Sequence, residues 1–586
     1  MRPRCYRTYH ALLVATLVVS AGCATSLFRD RKPEAALEAA TESGTPLVAD
    51  YAHPYGLNYV KVEAVALVTG LNGTGEDPPQ SPQRAALLDE MARRQIEKPN
   101  EVLASPDTAM VLLRGFLPPG VQKGDQFDLE VHTPSRSKTT SLRGGRVLEA
   151  RLTEMAVMGQ QIHSGHLWAK GEGAILVDPS ASGEADIAAA TRGRILGGGV
   201  AIKSRPLGLV LAQNHQSFRK SISVAKAISD RFQTYDGGSK IGVAEAKTPE
   251  FIELKLHPRY KDNIGRFVRV VRSVAVNETP TARQERLVLL EKQLGDPLTA
   301  ANASLRLEAI GDESAIAKLR EGVKSQDAEV RFYAAEALAY LDKTEGVAAL
   351  VDAASKEPAF RAHALAALSA MDDVTAYEGL RSLLSSTSAE TRYGAFRALW
   401  AMNPSDPMIR GERLGGQFGY HALNTDGPPM VHATRSGRPE IVLFGAGQKF
   451  KLPMVLDAGN DILVNGLSGD EVTVSRFRSN ESDRRRTVTS SIDDVIRAIV
   501  EVGGEYPDVV QALQQAKRDG ALPGRFAVDA IPRSGREYDP DDTSSTGPGS
   551  AESDGVNEDE EPAAGASMDA DYRVGTPLPD LFSTKK

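Results

Sequence analysis

Between Ala282 and Met402 the chain repeats itself, and that constrains its fold more than any other feature. Leu307-Glu-Ala-Ile310, Leu338-Ala-Tyr-Leu341, Leu368-Ser-Ala-Met371 and Leu399-Trp-Ala-Met402 recur at a spacing of about 31 residues, inside the range of stacked repeats. Leu319, Leu350 and Leu380 keep step with them and mark a second helix in each unit. One such unit cannot bury its apolar face alone, so the units must stack and leave one face free for a partner. A single irregular helical bundle is the alternative. Arg331, Arg361 and Arg392 each open a helix at the same phase. They are suited either to an acidic partner or to carboxylates and carbonyls inside the stack.

The 586 residues are enough for about three or four domains, and a net charge of −8 argues against a general nucleic-acid binder. With aromatic residues at only 6%, branched and small aliphatics must carry the packing. At the N-terminus Arg2, Arg4 and Arg7 precede an apolar run from Ala11 to Val19, the pattern of an export signal too short to span a membrane. Ser20-Ala-Gly-Cys23 resembles the bacterial lipoprotein cleavage box, with Cys23 as the lipidated residue, although Ser20 stands where that box has a Leu-like residue. Ala24 after the cysteine points to the outer membrane; cleavage without lipid is the alternative. Cys5 and Cys23 are the two cysteines, so the mature body has no disulfide and no thiolate chemistry.

Residues 1–23 are thus a signal segment and 24–59 a polar tether. From 60 to 279 short aliphatic runs split by Gly and Pro predict strands at Val62–Val68, Ala109–Leu113, Phe127–Val131, Arg146–Leu152, Leu167–Lys170, Ala174–Val177, Leu207–Leu211, Phe251–Leu256 and Phe267–Val274. Helices are predicted at Gln83–Gln95 and Ser221–Phe232, the second resting on a sheet through Ile222, Ala225, Ile228 and Phe232. The repeats occupy 280–405. From 406 to 534 strands return at Ile441–Phe444, Lys451–Leu456, Ile462–Val464 and Val472–Phe477, with helices at Ile492–Val502 and Tyr506–Asp519. The acidic stretch 535–586, centred on Asn557-Glu-Asp-Glu-Glu561, cannot bury a core and is expected to be disordered. The fold class is α+β: β-rich domains interrupted by a short all-α solenoid.

The solenoid resembles HEAT-type repeats. The flanking parts resemble the flagellar basal-body P-ring protein family, through Leu67-Val-Thr-Gly-Leu-Asn-Gly-Thr-Gly75, Phe116-Leu-Pro-Pro-Gly120, Lys123-Gly-Asp-Gln-Phe-Asp-Leu129, Ser141-Leu-Arg-Gly-Gly145 and Gly171-Glu-Gly-Ala-Ile-Leu176. Asp493-Asp-Val-Ile-Arg-Ala498 and the helix from Tyr506 continue the match. Members of that family lack the repeats, the acidic tail and the lipid box. The resemblance implies a homo-oligomeric periplasmic ring that surrounds the flagellar rod as a bushing, meets outer-membrane ring proteins and peptidoglycan, and catalyses nothing. A lipid-anchored envelope scaffold that binds an unknown protein through its repeats, independent of flagella, is the competing reading.

The glycine-rich turn Gly70-Leu-Asn-Gly-Thr-Gly75 follows an apolar run, as a phosphate cradle would. No Gly-Lys-Ser/Thr follows it, and Glu76-Asp-Pro-Pro79 is unsuited to an anion. Gly70, Asn72, Gly73 and Gly75, with Ser141, Arg143, Gly144 and Gly145, are therefore read as structural or assembly motifs. Ser468 lacks a nucleophile elbow, and His163 and His166 lack a third ligand. No catalytic residue, metal site or cofactor is expected. Arg136, Lys138, Arg143, Arg146 and Arg151 form a basic cluster, either a solvated strand face or a contact for an anionic partner such as peptidoglycan.

Overall fold

The computed structural model describes residues 44–532 and Tyr538, apart from 159–160, 178–186, 237 and 479–481. Cys23, the signal segment and the acidic tail after Tyr538 lie outside the described residues. The segment expected to be a tether is folded from its second half onward. Leu47 bridges Ala275, Val48 is fully buried, and β1 (Ala52–Tyr55) joins a small sheet. Those contacts are made with residues more than 150 positions away, so no local pattern announced them.

The first β-rich body is a barrel. Its strands are β2 (Val60–Thr69), β3 (Thr108–Leu117), β4 (Gln126–His132), β5 (Arg146–Met158), β6 (Gln161–Ala174) and β8 (Arg192–Ala201), with the short β7 (Leu176–Val177) added on β8. They pair in the order β4-β3-β2-β5-β6-β8, and β4 also pairs with β8, which closes the ring. Six strands leave an interior wide enough only for side chains. Val62, Val68, Leu113, Leu129, Leu152 and Ile195 fill it. Gly171 and Gly199 make room: an added Cβ would lie 2.4 Å from the Leu129 side chain and 2.7 Å from Phe127. Two helices, α1 (Pro82–Arg93) and α2 (Pro99–Leu103), cover the outside of β2 and β3 with Leu87, Met91 and Leu103 against Leu67 and Met110.

After the turn of α3 (Ile187–Ala190) and strand β8, the chain enters the small sheet as β9 (Leu207–Leu211). The helix α4 (Phe218–Arg231) follows, capped by Ser217, whose Oγ accepts from the Lys220 amide. It buries Val224, Ala225 and Ile228; Ile222, expected on the sheet, is 57% exposed. The ribbon β10 (Gln233–Asp236) and β11 (Ser239–Gly242) precedes β12 (Ala244–Ala246) and β13 (Phe251–Leu254), and the sheet order is β1-β9-β13-β12.

Phe267–Val274 is not a strand. It lies mostly in helix α5 (Ile264–Arg272), opened by Asn263, whose side chain accepts from the Arg266 amide. Phe267, Val268, Val270 and Val271 are all buried, so the helix is enclosed nearly all round. Arg266, Arg269 and Arg272 recur every third residue and mark one helix face, a period that the strand reading of the apolar residues between them passed over.

The repeat region forms eight helices: α6 (Pro280–Leu294), α7 (Pro297–Ile310), α8 (Glu313–Gly322), α9 (Ala328–Tyr340), α10 (Val347–Lys356), α11 (Arg361–Ser369), α12 (Val374–Leu383) and α13 (Ala389–Met402). Leu307, Leu338, Leu368 and Leu399 are buried in step, as are Leu319, Leu350 and Leu380. The arginines bond carbonyls between helices: Arg331 donates to Ser325 and Gln326, Arg361 to Ala354, and Arg392 to Leu384 and Pro428. The core does not stop at the array. It runs unbroken from Leu209, Ile252 and Phe267 of the small sheet and α5 to Leu423, Met430 and Phe444 beyond α13.

The C-terminal half holds two sheets. The first, in the order β14-β15-β17-β16-β22, comprises β14 (Glu412–Leu414), β15 (Phe418–Leu423), β16 (Met430–Ala433), β17 (Glu440–Phe444) and β22 (Arg525–Val528). The second is a meander of β18 (Met454–Ala458), β19 (Ile462–Gly466), β20 (Glu471–Arg476) and β21 (Arg484–Thr489). Helices α14 (Ile492–Glu501) and α15 (Tyr506–Arg518) pack between them on Val495, Ile499, Val509 and Leu513. The α+β class holds, with β-rich regions interrupted by an all-α array.

Candidate assembly site

The two glycine motifs, 67 residues apart in the chain, meet at one end of the barrel. Past β2 the chain turns through Gly70, Asn72 and Gly73 with φ of +84°, +46° and +84°, a backbone that favours Gly and tolerates Asn. Four amides of this turn are bonded within the protein: Leu71 donates to the Asp107 carbonyl, Gly73 to Asp107 Oδ1 at 2.8 Å, Thr74 to the Leu71 carbonyl and Gly75 to the Pro106 carbonyl at 2.8 Å. Those four are not free to gather round a phosphate. Gly75 has a steric reason of its own, since a Cβ there would lie 2.0 Å from the Thr108 carbonyl oxygen.

Thr74 joins the motifs. Its hydroxyl is shared between the carbonyls of Leu71 and Ser141, 2.8 Å from each, and its own carbonyl accepts from the Thr140 amide. Ser141 Oγ accepts from the Arg143 amide, and Gly145 sits where a Cβ would strike Val68 and Leu71 at 2.6 and 2.7 Å. This joint faces the C-terminal half. Asn460 Nδ2 donates to the Arg143 carbonyl at 3.4 Å, beside Gly144, and Arg146 pairs with Glu505 at the start of α15 at 2.9 Å.

Two of the five expected basic contacts meet carboxylates in the fold. Arg146 is held by Glu505 and Arg151 lies 3.6 Å from Glu90, while Arg136 and Lys138 are exposed and Arg143 is half-buried. A further bridge was invisible in the sequence. Asp128 of β4 accepts from the Gly197 amide at 2.8 Å and from the Gly437 amide at 2.6 Å, tying the barrel wall to the turn between β16 and β17. Burial pushes its carboxyl up to about 7, against the two amides and Arg194, with Asp529 adding to the rise.

Buried ion networks secure the array at both ends. At the first, Arg266 of α5 is fully buried, donates from Nε to Glu308 at 3.1 Å and pairs with Glu336 at 2.6 Å; Tyr260 donates to Glu308 at 2.6 Å. At the second, Glu440 of β17 receives Tyr393 at 2.9 Å and Arg397 at 3.1 Å, with His421 at 3.6 Å. Burial alone would raise the Glu440 carboxyl, but Arg397, His421 and Arg438 outweigh it and leave the pKa lowered. One sequence signal could have found Glu308: it occupies a repeat phase that carries Ala339 and Ser369 in the next two units. Arg266 offered none, and Asp128 stood inside the Lys123–Leu129 motif with nothing there to name Gly437 as its partner.

Among the described residues no group of three His, Cys, Asp or Glu side chains could hold a metal, and no helix is long and apolar enough to cross a membrane. The architecture combines a closed β-barrel with a helical-repeat array that buried ionic contacts secure at both ends, to α5 and to the β17 sheet. More particularly, residues 48–302 match the model of the flagellar P-ring protein family, and residues 316–400 match that of HEAT repeats.

Similar proteins include the flagellar P-ring proteins of Caulobacter vibrioides (28% identical over 204 residues, 33% of this chain and 50% of the relative) and Shigella dysenteriae (26% over 253, 42% and 66%). A third, from Geobacter metallireducens, is 24% identical over 287 residues, 47% of this chain and 73% of the relative. The chain thus spans between half and three quarters of the length of these relatives.

Proposed function

We propose that this chain is a structural, non-catalytic subunit of the periplasmic P ring of a bacterial flagellar basal body, copies of which surround the rod as a bushing and meet the outer-membrane ring and peptidoglycan. The match of residues 48–302 to the flagellar P-ring model carries the reading. The joint built from Gly70, Asn72, Gly73 and Gly75 with Ser141, Arg143, Gly144 and Gly145 supports it, because those motifs do geometric work and leave no chemistry. On this reading 60–279 and 406–534 are the two ring-type parts, the array at 280–405 is an insertion between them, and Cys23 is a lipid anchor to the outer membrane. Imaging of purified basal bodies from cells carrying a tagged copy tests it: label on the periplasmic ring supports the proposal, and basal bodies without label overturn it.

A second reading, a lipid-anchored envelope scaffold independent of flagella, is favoured by one observation: the HEAT match at 316–400 lies wholly outside the P-ring match. Label confined to envelope fractions without basal bodies would support it. Excision of Ala282–Met402 cannot separate the two, because that segment shares its core with both neighbours. Surface substitutions on the array are the appropriate tool.

A further inference from the structure

Three helices of the array, α9, α11 and α13, end along one cleft of about 530 Å³, which is also lined by the segment 257–263 ahead of α5. The C-terminus of a helix carries partial negative charge and carbonyls without intrahelical partners, so it attracts cations. Two of these ends are met by a cation from that segment. At α9 the Arg259 guanidinium lies 3.0 and 3.1 Å from the two carboxylate oxygens of Asp342, two residues past the helix. At α13 the Lys261 ammonium donates to the Ala401 carbonyl at 3.0 Å.

The end of α11, the middle one in chain order, differs. Among the described residues no side chain donates to the Ser369 or Ala370 carbonyl, and the exposed Asp372 carboxylate accepts no hydrogen bond and pairs with no cation. Asp373 and Asp406 line the same cleft and accept the backbone amides of Thr375 at 2.6 Å and Met408 at 2.8 Å, neutral donors that leave the acids' charge in place. The apolar part of the lining is Ala366, Met371, Val374 and Met402, with Val374 74% exposed.

We propose that this cleft is a docking site for an arginine or lysine carried on an exposed segment of a partner protein, with the cation seated at the end of α11. The chain's own Arg259 and Lys261 display the same chemistry at the neighbouring ends. Arg259 is neutralised by Asp342 and Lys261 stands 4.0 Å from Asp262, so the attraction of Asp372, Asp373 and Asp406 is left for a newcomer. The aliphatic stem of such a side chain lies on the apolar lining while its charged head reaches Asp372. A divalent metal fits less well, because among the described residues no three His, Cys, Asp or Glu side chains gather to hold one. The cleft is within the size range of ligand sites. The inference goes beyond both proposed functions and depends on neither, since it rests on the array and the segment before α5.

The test uses the full chain and two fluorescent peptides with blocked ends: Gly-Ser-Arg-Ala-Arg-Ser-Gly, and the same peptide with Gln at both arginines. Binding is followed by anisotropy at low and high salt. The arginine peptide is expected to bind wild type, less tightly as salt rises, and the glutamine peptide about tenfold more weakly or worse. Asp372→Asn should weaken the arginine peptide about three- to tenfold. Asp372→Lys, which puts a cation of the chain itself at the end of α11, should abolish its binding. Because Asp372 is exposed, both variants should keep the circular dichroism of wild type. Glu321→Gln removes an exposed acid of α8 that does not line the cleft and should leave binding unchanged. An equal loss in Glu321→Gln and Asp372→Asn would mean attraction to a negative chain at large and would overturn the proposal. So would binding to Asp372→Lys as to wild type, equal binding of the two peptides, or no binding to wild type at millimolar peptide.

Discussion

The barrel meets the C-terminal half mainly through polar side chains that reach across a seam, whereas the array shares buried core with the elements on both sides of it. The barrel's interior is closed on itself: every member of its core lies between Val62 and Ala201. Across the seam stand Asp128, Arg146 and Asn460, with Leu176 and Leu196 as the apolar contribution. The array has no such seam. Its core continues into α5 and into the β15–β17 sheet, and its two ionic joints are buried at Arg266 and Glu440. A segment that reads as an insertion in sequence is thus part of the folding unit, while the barrel keeps a core of its own. Removing a joint should therefore cost far more at the array than at the barrel.

The largest effect is expected at Arg266. Replacing it by Met leaves Glu308 and Glu336 buried without their cation, a loss of about 3–5 kcal/mol for a broken buried pair. Urea unfolding should show it as a lowered midpoint. Adding Glu308→Leu and Glu336→Leu should recover much of that loss, since replacing all the charges with apolar groups removes the uncompensated ones. If Arg266→Met moved the midpoint no more than a substitution at the barrel seam, the contrast between the two joints would be lost.

Next come the glycines at the barrel end, where the cause differs from one position to the next. Gly75→Val forces a Cβ into the Thr108 carbonyl and should cost about 1–3 kcal/mol or more. Gly73→Val meets no atom within 4 Å but must hold φ near +84°, which costs about 1–2 kcal/mol. Thermal unfolding should rank Gly75→Val below Gly73→Val. The reverse order would mean that the loop shifts to accommodate Gly75 while the left-handed turn does not.

Period and turn chemistry were legible because they are local. Leucines about 31 residues apart reveal the array, and Gly70-Leu-Asn-Gly-Thr-Gly75 reveals a turn, without any knowledge of partners. What the sequence hid was long-range. Strand β8, Arg-Gly-Arg-Ile-Leu-Gly-Gly-Gly-Val-Ala, looks like a loop until β4 and β6 supply its ladders. Helix α5 looks like a strand because Phe267, Val268, Val270 and Val271 crowd β-branched and aromatic side chains into five positions, although Arg266, Arg269 and Arg272 keep helical spacing. Asp128 is one acid among 77 acidic residues until folding brings Gly437 to it across 309 positions. The partner of Arg146 in the basic cluster was hidden for the same reason: Glu505 is 359 residues away.

A smaller effect concerns pH at the seam. The Asp128 carboxyl is pushed up to about 7 in the fold, from the 3.8 of an unperturbed aspartate, so the folded chain holds this proton more tightly than the unfolded chain does. Its contribution to stability is present in full below about pH 4, is lost as pH rises toward 7, and is level above that. Each pKa unit corresponds to about 1.4 kcal/mol, reduced by the partial solvent contact at this site. Asp508 of α15 is also pushed up to about 7 by burial and acts with the same sign. Denaturation midpoints should fall between about pH 4 and pH 7, and Asp128→Asn should shrink that fall without abolishing it. An unchanged slope in Asp128→Asn would remove the carboxyl from the pH response of the seam.

The smallest effect belongs to the ion pair at the barrel mouth. Arg146 and Glu505 remain substantially exposed, 53% and 34% at their side chains, so their attraction is shared with water and contributes about 0–1 kcal/mol. Arg146→Glu sets like charges against each other; the cost should be a few tenths of a kcal/mol at low salt and should vanish as salt screens the pair. Adding Glu505→Arg restores opposite charges in reversed order, and the double-mutant cycle isolates the pair from whatever else each side chain touches. A coupling near zero at low salt would leave the seam to Asp128, Asn460, Leu176 and Leu196. A coupling as large as the Arg266 effect would mean that the mouth of the barrel is as firmly joined as the array, and the contrast between the two joints would be lost.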